Sequence, residues 1–480
     1  MNRMIKSVIA AGAEATGSLR VFAPFDQKIL AEVEQVGLAG IEQALTAAED
    51  LFQRRSAWLS IPTRVQILET LGRLMSEQAA ELALLAAQEG GKPLLDSQLE
   101  VARAIDSVRI AVETLRTESG RTVPMGINAA SSGKLAFTQR EPIGVVVAIS
   151  AFNHPLNLIA HQVAPAIAAG CPVIVKPAEE TPLSCFRFVE LLHQAGLPEG
   201  WCQVLLTESR TVSTALVSDA RVAFLSFIGS AKVGWMLRSK LAAGTRCALE
   251  HGGVAPVIVA EDADLESVVE KVLKGGFYHA GQVCVSVQRL FVQRSIARSL
   301  AERLAEKAAQ LRVGDPTDAE TEVGPLIRAT EVVRIGGWVD EAVKEGAELL
   351  TGGKALSASC YACTVLYEPD KHSRVSREEI FGPVICVYPY DELSEAIEEA
   401  NSLPYAFQAA MFTSNLEQAS YAYRHLNASA VMVNDHTAFR VDWMPFAGLR
   451  QSGLGVGGVP YTLREMQIEK MMVWHSDHLV

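Results

Sequence analysis

Apolar residues recur at helical spacing through residues 40–119. Ile41, Leu45, Ala48, Leu51 and Phe52 mark one stripe, a second run extends from Arg64 to Glu89, and a third from Leu95 to Thr117. The second run stops at Gly90, Gly91 and Pro93, which end helices. From residue 141 the period changes. Residues 143–150 (IGVVVAIS) are a near-continuous β-branched run, the pattern of a parallel strand buried on both faces. A helix over 155–169 and a strand over 173–175 follow, and Thr181 then reads as an N-cap with Pro182 at the first helical position. Strands over 203–206 and 223–227 alternate with helix-length segments. This order predicts an open, doubly wound α/β sheet.

A second α/β set comes next. Its predicted strands lie at 257–259, 290–292, 384–388, 409–412 and 431–433, and its helices at 265–279, 295–311, 393–400 and 416–426. Two segments fit neither sheet. Residues 121–140, with Pro124, Gly126 and Gly133, read as an extended excursion, and residues 466–480 contain Met471, Met472, Val473 and Trp474. Exposed strands tend to pair, so a subunit contact is expected there.

Composition narrows the class. The 480 residues are 49% hydrophobic and 20% charged, which is globular rather than disordered. The 43 basic and 55 acidic residues leave a net charge of −12, which argues against a broad nucleic-acid surface. The greasiest stretch, 158–175, is interrupted by His161, Gln162, Pro165, Gly170 and Pro172, so no membrane span is expected. The apolar stretch 8–13 is too short for a signal-peptide core, and the chain reads as cytoplasmic. The 8 cysteines are scattered, not a disulfide framework. Cys360 and Cys363 form a C-x-x-C with no second pair, so no metal is expected.

Four local features carry candidate chemistry. Cys284, in GQVC, lies between a helix and a strand, where a thiol is either a buried small hydrophobe or, if its pKa is lowered, a nucleophile. Glu250, in LEHGG, ends a strand beside paired glycines and reads as a salt-bridged surface group or a carboxylate that a ligand approaches closely. Asn153, in AFNHP, stands at the carboxyl end of the 143–150 strand, where open α/β sheets bind ligands. It is a turn residue or an amide donor to an oxyanion. FIGSAKVG follows a strand and opens a helix, where small residues admit a phosphate. It is not G-x-G-x-x-G, so its dinucleotide signal alone is weak.

Taken in order, EPIGVVVAISAFNHPLN, KPAEETP, FIGSAKVG, LEHGGVAPVIV, GQVCVSVQRLFV, EEIFGPV and PFAGLRQSGLG resemble the NAD(P)-dependent aldehyde dehydrogenase superfamily across essentially the whole chain. The resemblance implies an aldehyde dehydrogenase-like α/β fold with two doubly wound α/β domains and a small β oligomerisation arm. The cofactor domain would take residues 1–120 and 141–250, the catalytic domain 251–435, and the arm 121–140 and 460–480. It also implies that Cys284 is the nucleophile, that Asn153 with the Cys284 backbone N–H forms the oxyanion hole, and that Glu250 activates water against a thioester. The implied cofactor is NAD, with NADP less favoured. Lys176 and Glu179 match positions at the adenosine ribose, and Ser230, Gly229 and Val233 match positions at the pyrophosphate, turn and adenine. Glu379 and Phe381 match positions at the nicotinamide ribose and ring. Phe152 falls beside them, where the family often has tryptophan. A homodimer or homotetramer is implied, with a small aldehyde as partner and neither nucleic acid nor membrane.

The chain departs from the family at His154, often phenylalanine, at His251, often leucine, at Ala447 within the usual PFGG, and at GVGG in place of GRE. None of these removes a catalytic atom. Glu250 argues against a CoA-acylating branch, which lacks it, and the intact Cys284, Glu250 and Asn153 argue against an inactive structural or binding relative. For the substrate, His154, Arg440, Arg450, His436 and Arg109 offer positive charge, as suits lactaldehyde, phosphonoacetaldehyde or glyceraldehyde-3-phosphate. Val283 before the nucleophile, with Phe152, Phe439 and Trp443 as tunnel walls, favours neutral aliphatic aldehydes, and that is the expectation here.

Overall fold

A computed structural model describes residues 4–10 and 12–478. Its first sheet has six strands in the order Gly453–Leu454, Arg246–Glu250, Val222–Ile228, Val145–Ile149, Val173–Lys176 and Cys202–Val204. All neighbours run parallel except Gly453–Leu454, which adds antiparallel to Arg246–Glu250. The Val145–Ile149 strand is buried along its whole length, as its unbroken β-branched run requires. The second sheet has seven strands, in the order Glu348–Thr351, Thr364–Tyr367, Val384–Tyr390, Val287–Gln293, Ala255–Val259, Gln408–Phe412 and Ala430–Val433. Only the outermost Glu348–Thr351 is antiparallel. The fold thus contains the two doubly wound α/β sheets that were expected.

Several elements differ from the sequence expectation. The run over 64–89 is two helices, Ile61–Glu77 and Ala79–Gly90, broken at Gln78, and Gly91 closes the second in the left-handed region at φ 73°. Strands Gly17–Phe22 and Ile29–Val36 pair antiparallel, and the helix Ala329–Lys344 falls within the second predicted set, between the helix over 295–311 and the strand over 384–388. The pattern flagged none of these three. Thr181 is not the N-cap of the next helix, which begins at Leu183 after Pro182. Its first N–H groups, on Leu183 and Ser184, instead donate to the Glu89 carboxylate at 2.7 and 2.8 Å. Glu100 does the same for the helix Asn157–Ala169, accepting from the Leu156 and Asn157 N–H groups at 2.9 and 3.0 Å. Two helix N-termini under the first sheet's ligand edge are therefore capped by buried carboxylates from remote helices, where the positive end of the dipole favours them.

The excursion resolves as strands Thr122–Val123 and Lys134–Pro142. The latter pairs antiparallel, residue for residue, with the C-terminal strand Gln467–His475. The expected arm segment 460–480 is divided. Residues Val459–Glu465 form a helix whose Val459 and Leu463, with Met466, pack into the first core, and only the strand beyond them projects. No helix among the described residues is long and apolar enough to cross a membrane.

Candidate active site

A cavity of about 420 Å³ opens where the carboxyl ends of the Val145–Ile149, Val222–Ile228 and Arg246–Glu250 strands face the loop before Val287–Gln293. Phe152, Asn153, His154, Gly229, Ser230, Val233, Glu250, Cys284, Glu379, Phe381 and Arg440 all line it. The sequence spread these residues over nearly three hundred positions, and the sheet edge gathers them.

The loop that leads to Cys284 is held in an unusual backbone path. His279, Ala280 and Gly281 have φ of 49°, 54° and 70° in succession. A side chain on Gly281 would meet the Gly382 carbonyl oxygen at 2.1 Å, so only glycine fits there. The two non-glycine residues carry strain of about 1–3 kcal/mol each. The turn fixes Gln282, whose carbonyl accepts the Asn153 Nδ2–H at 2.9 Å. The Gln282 side chain donates to the Pro325 carbonyl at 3.3 Å and accepts from the Ile327 N–H at 2.9 Å. Asn153 is thereby oriented, and its second amide N–H is left over.

Glycines make room for the charged groups. A Cβ on Gly252 would fall 1.6 Å from Glu379 Oε1, and one on Gly234 would fall 2.0 Å from His251 Nε2. His251 stands edge-on between Phe227 and Trp235, and its Nδ1 is 2.9 Å from the Gln451 carbonyl. Burial pushes the Cys284 thiol up to about 12, against the pull of Arg440. Burial likewise raises Glu250, again opposed by Arg440, and raises Glu379 to about 7. The resting thiol is therefore protonated, and a carboxylate raised towards neutrality shares its cavity to take a proton.

A nicotinamide dinucleotide fits the other half of the cavity. Ser230 precedes the helix Ala231–Arg238 with its hydroxyl making no capping bond, which leaves first-turn N–H groups for phosphate. Gly229 carries no side chain where a Cβ would press on the Phe227 ring at 2.8 Å. Phe152 and Phe381 meet edge to face at 5.8 Å beside Glu379. Lys176 and Glu179 lie outside this cavity. Lys176 is buried, its Nζ 3.6 Å from Glu179, and Glu179 faces a neighbouring cavity of about 290 Å³ with Arg20 and Arg328.

The substrate candidates separate. His154 and Arg440 line the cavity, whereas Phe439 and Trp443 do not, being 42% and 56% exposed. Phe439 closes a turn, its N–H donating to the His436 carbonyl at 3.2 Å, and its side chain is exposed where the next residue, Arg440, lines the cavity. Arg109 is spent on Asp106 at the surface, Arg450 donates to the Leu403 carbonyl, and His436 lies outside. The sequence reading missed Arg103, Asn157, Tyr278 and Phe446, which line the cavity. Arg103 had a signal, because Glu100, Arg103 and Ser107 follow one another at helical spacing, a polar stripe beside the apolar positions Val101, Ala104 and Val108 of the same helix. Burial, then the charge of Lys92, drives His154 well below the usual histidine range, so it is a neutral group. Among the described residues no His, Cys, Asp and Glu cluster could hold a metal.

Comparisons with known proteins span nearly the whole chain. Residues 11–472 match the model of the aldehyde dehydrogenase family. The 3-sulfolactaldehyde dehydrogenase of Priestia aryabhattai is 37% identical over 456 residues, covering 95% of this chain and 94% of that protein. The structure of aldehyde dehydrogenase 21 from Physcomitrella patens in complex with the reaction product succinate superposes with a TM-score of 0.96 at 33% identity, covering 100% of both chains. A glyceraldehyde-3-phosphate dehydrogenase from Methanocaldococcus jannaschii complexed with NADP gives 0.91 at 34% identity, covering 95% of this chain and 99% of that one.

Proposed function

The chain belongs to the aldehyde dehydrogenase family, and from that premise we propose that it oxidises a small aldehyde bearing an anionic group to the carboxylic acid with NAD. Cys284 gives up its thiol proton to water and, as thiolate, attacks the aldehyde carbon, and the new oxyanion meets the free Asn153 amide N–H and the Cys284 backbone N–H. The carbonyl re-forms as the hydride departs, leaving a thioester on Cys284. Glu250 then takes a proton from water, whose hydroxide expels the thiolate and releases the acid. The dinucleotide, when bound, supplies the hydride acceptor. Ser230, Gly229 and Val233 would hold its pyrophosphate and adenine, and Glu379 with Phe381 its nicotinamide end.

One observation carries the substrate class. Arg440 lines the cavity with Cys284 and Glu250, and among the described residues it has no carboxylate within 4 Å, while its buried Nε lacks any partner. A guanidinium with no carboxylate in contact, Glu250 and Asp442 acting on it only from beyond 4 Å, suits a substrate carboxylate, sulfonate or phosphate, which it can grip in two-point fashion. The name of the Priestia relative and the succinate of the Physcomitrella complex support the same reading. For a neutral aliphatic substrate there remains the apolar patch of Val283, Val285 and Phe446, but not Phe439 or Trp443. NADH formation across a panel of aldehydes is the test. The highest kcat/KM is expected for an anionic aldehyde, falling at least about tenfold in Arg440→Ala. A maximum on neutral aldehydes of matching length overturns it.

Assembly belongs to the same proposal. The edge strand Gln467–His475 exposes Met471, Met472, Val473 and Trp474, an apolar edge that a homodimer or homotetramer would cover.

A further inference from the structure

Arg440 is held from behind by a buried line of polar groups that ends on a second arginine. His161, on the helix Asn157–Ala169 and 4% exposed, has its Nδ1 3.3 Å from Arg440 Nη2 and its Nε2 2.7 Å from Asp442 Oδ1. Asp442 also accepts from Arg103 Nε at 3.0 Å and Nη2 at 2.7 Å, and from Asn157 Nδ2 at 3.4 Å. A ring with a carboxylate on one nitrogen and a guanidinium on the other has one consistent form. The proton sits on Nε2 and is donated to Asp442, and the Nδ1 lone pair accepts from Arg440.

The charges agree with that form. Burial, then the Arg440 charge, pushes His161 down to about 4, so the ring is neutral. Burial would raise the Asp442 carboxyl, but His161 and Arg103 outweigh it and hold it well below the usual carboxylate range. Asp442 is thus an anion whose charge is already matched by Arg103, and the neutral ring keeps it one side chain away from Arg440. Phe446 fixes the plane of the guanidinium, whose Cζ lies 3.7 Å from the ring centroid.

We propose that His161 is a positioning residue that aims the Arg440 guanidinium at the anionic group of the substrate while keeping its charge uncancelled. The inference rests on the reading of the substrate as an anionic aldehyde. A direct Asp442–Arg440 pair would hold the arginine equally well but neutralise it. A hydrocarbon in place of the ring would leave Arg440 free to fold away from the cavity.

Two ratios test it. One is kcat/KM for a four-carbon aldehyde ending in a carboxylate over that for its methyl-terminated counterpart. The other is the rate of Cys284 alkylation by iodoacetate over that by iodoacetamide, read on the Cys284 peptide, which needs no aldehyde. His161→Leu should lower both ratios about tenfold, the loss expected for a hydrogen bond to a charged group. His161→Gln, whose amide offers an N–H to Asp442 and a carbonyl to Arg440, should restore most of each. In Arg440→Ala the ratios should already be low, and adding His161→Leu should lower them no further. Unchanged ratios in His161→Leu, or an equal loss on charged and neutral aldehydes, overturn the proposal. A wild-type alkylation ratio that collapses in His161→Leu without any wild-type preference for the charged aldehyde leaves the positioning role standing and sinks the substrate class. If His161→Leu does not fold, the ring ¹⁵N shifts of His161, assigned by their loss in His161→Gln, decide. A neutral ring protonated on Nε2 at pH 7 is expected, and an imidazolium or an Nδ1-protonated ring overturns the proposal.

Discussion

Gly457 lies directly against Glu250: a Cβ built on Gly457 would stand 2.1 Å from Glu250 Oε1 and 3.0 Å from the Phe446 carbonyl. The position that the family fills with GRE is here the GVGG segment, and its glycine leaves room for the Glu250 carboxylate.

Gly457→Ala should therefore displace the Glu250 carboxylate without touching Cys284. Hydride transfer should survive as a burst of NADH close to one per subunit, followed by steady-state turnover slowed at least about tenfold, within the range that general-base help supplies. Glu250→Gln should give the same burst. Stopped-flow absorbance reads both, and a Gly457→Ala enzyme with unchanged steady-state turnover would show that the carboxylate moves aside at no cost.

The half-buried Cys284 thiol, pushed up to about 12 by loss of solvation, gives a definite pH dependence. Only the thiolate reacts, and below its pKa the thiolate fraction rises tenfold per pH unit. Alkylation of Cys284 by iodoacetamide in the cofactor-free protein should thus climb steadily from pH 6 to pH 10 with no plateau. Arg440→Ala removes a charge that favours the thiolate, so the whole profile should shift to higher pH. A plateau near pH 7 in the wild type would refute this. Cys284→Ala should abolish turnover while dinucleotide binding, followed by fluorescence, persists.

Glu179 stands 3.6 Å from Lys176 with about half its side chain in solvent. Its carboxylate would accept the ribose hydroxyls of NAD and repel the 2′-phosphate of NADP, an effect that Lys176 softens. A preference for NAD in kcat/KM is expected, and Glu179→Gln should narrow it several-fold by raising activity with NADP. Equal kcat/KM for both cofactors in the wild type would contradict this.

Light scattering at micromolar concentration should give the mass of two or four chains. Val473→Lys places a charge in the middle of the open edge strand and should shift the population towards the single chain. A wild-type monomer would remove the basis for this expectation.

Much of the cofactor edge could be read from the sequence because its constraints are local. A β-branched run, a glycine pair after Glu250 or a small-residue turn before a helix records a strand, a close approach or a phosphate cradle within a few positions. What escaped notice is held by long-range partners. Glu89 and Glu100 look like surface acids on amphipathic helices, yet they cap helices 94 and 56 residues away. Thr181 looked like a cap because its chemistry allows one, but a buried carboxylate took that role. Arg109 and Arg103 are both arginines of one helix, and only the packing of Leu94–Thr117 under the cavity shows that the second turns inward. Phe439 and Arg440 are neighbours in sequence on opposite sides of a wall.

The C-terminal segment also fixes a sequence of events during synthesis. Gly453–Leu454 closes the first sheet, Gln467–His475 pairs with Lys134–Pro142, and Asp442 answers Arg103 from 339 positions away. A chain emerging from the ribosome presents Cys284 and Glu250 long before it presents Arg440 and Asp442. Such long loops are the slow contacts of folding. The nascent protein thus carries the proposed nucleophile well before Arg440, so on the proposed reading discrimination among aldehydes would be acquired after the thiol is already in place.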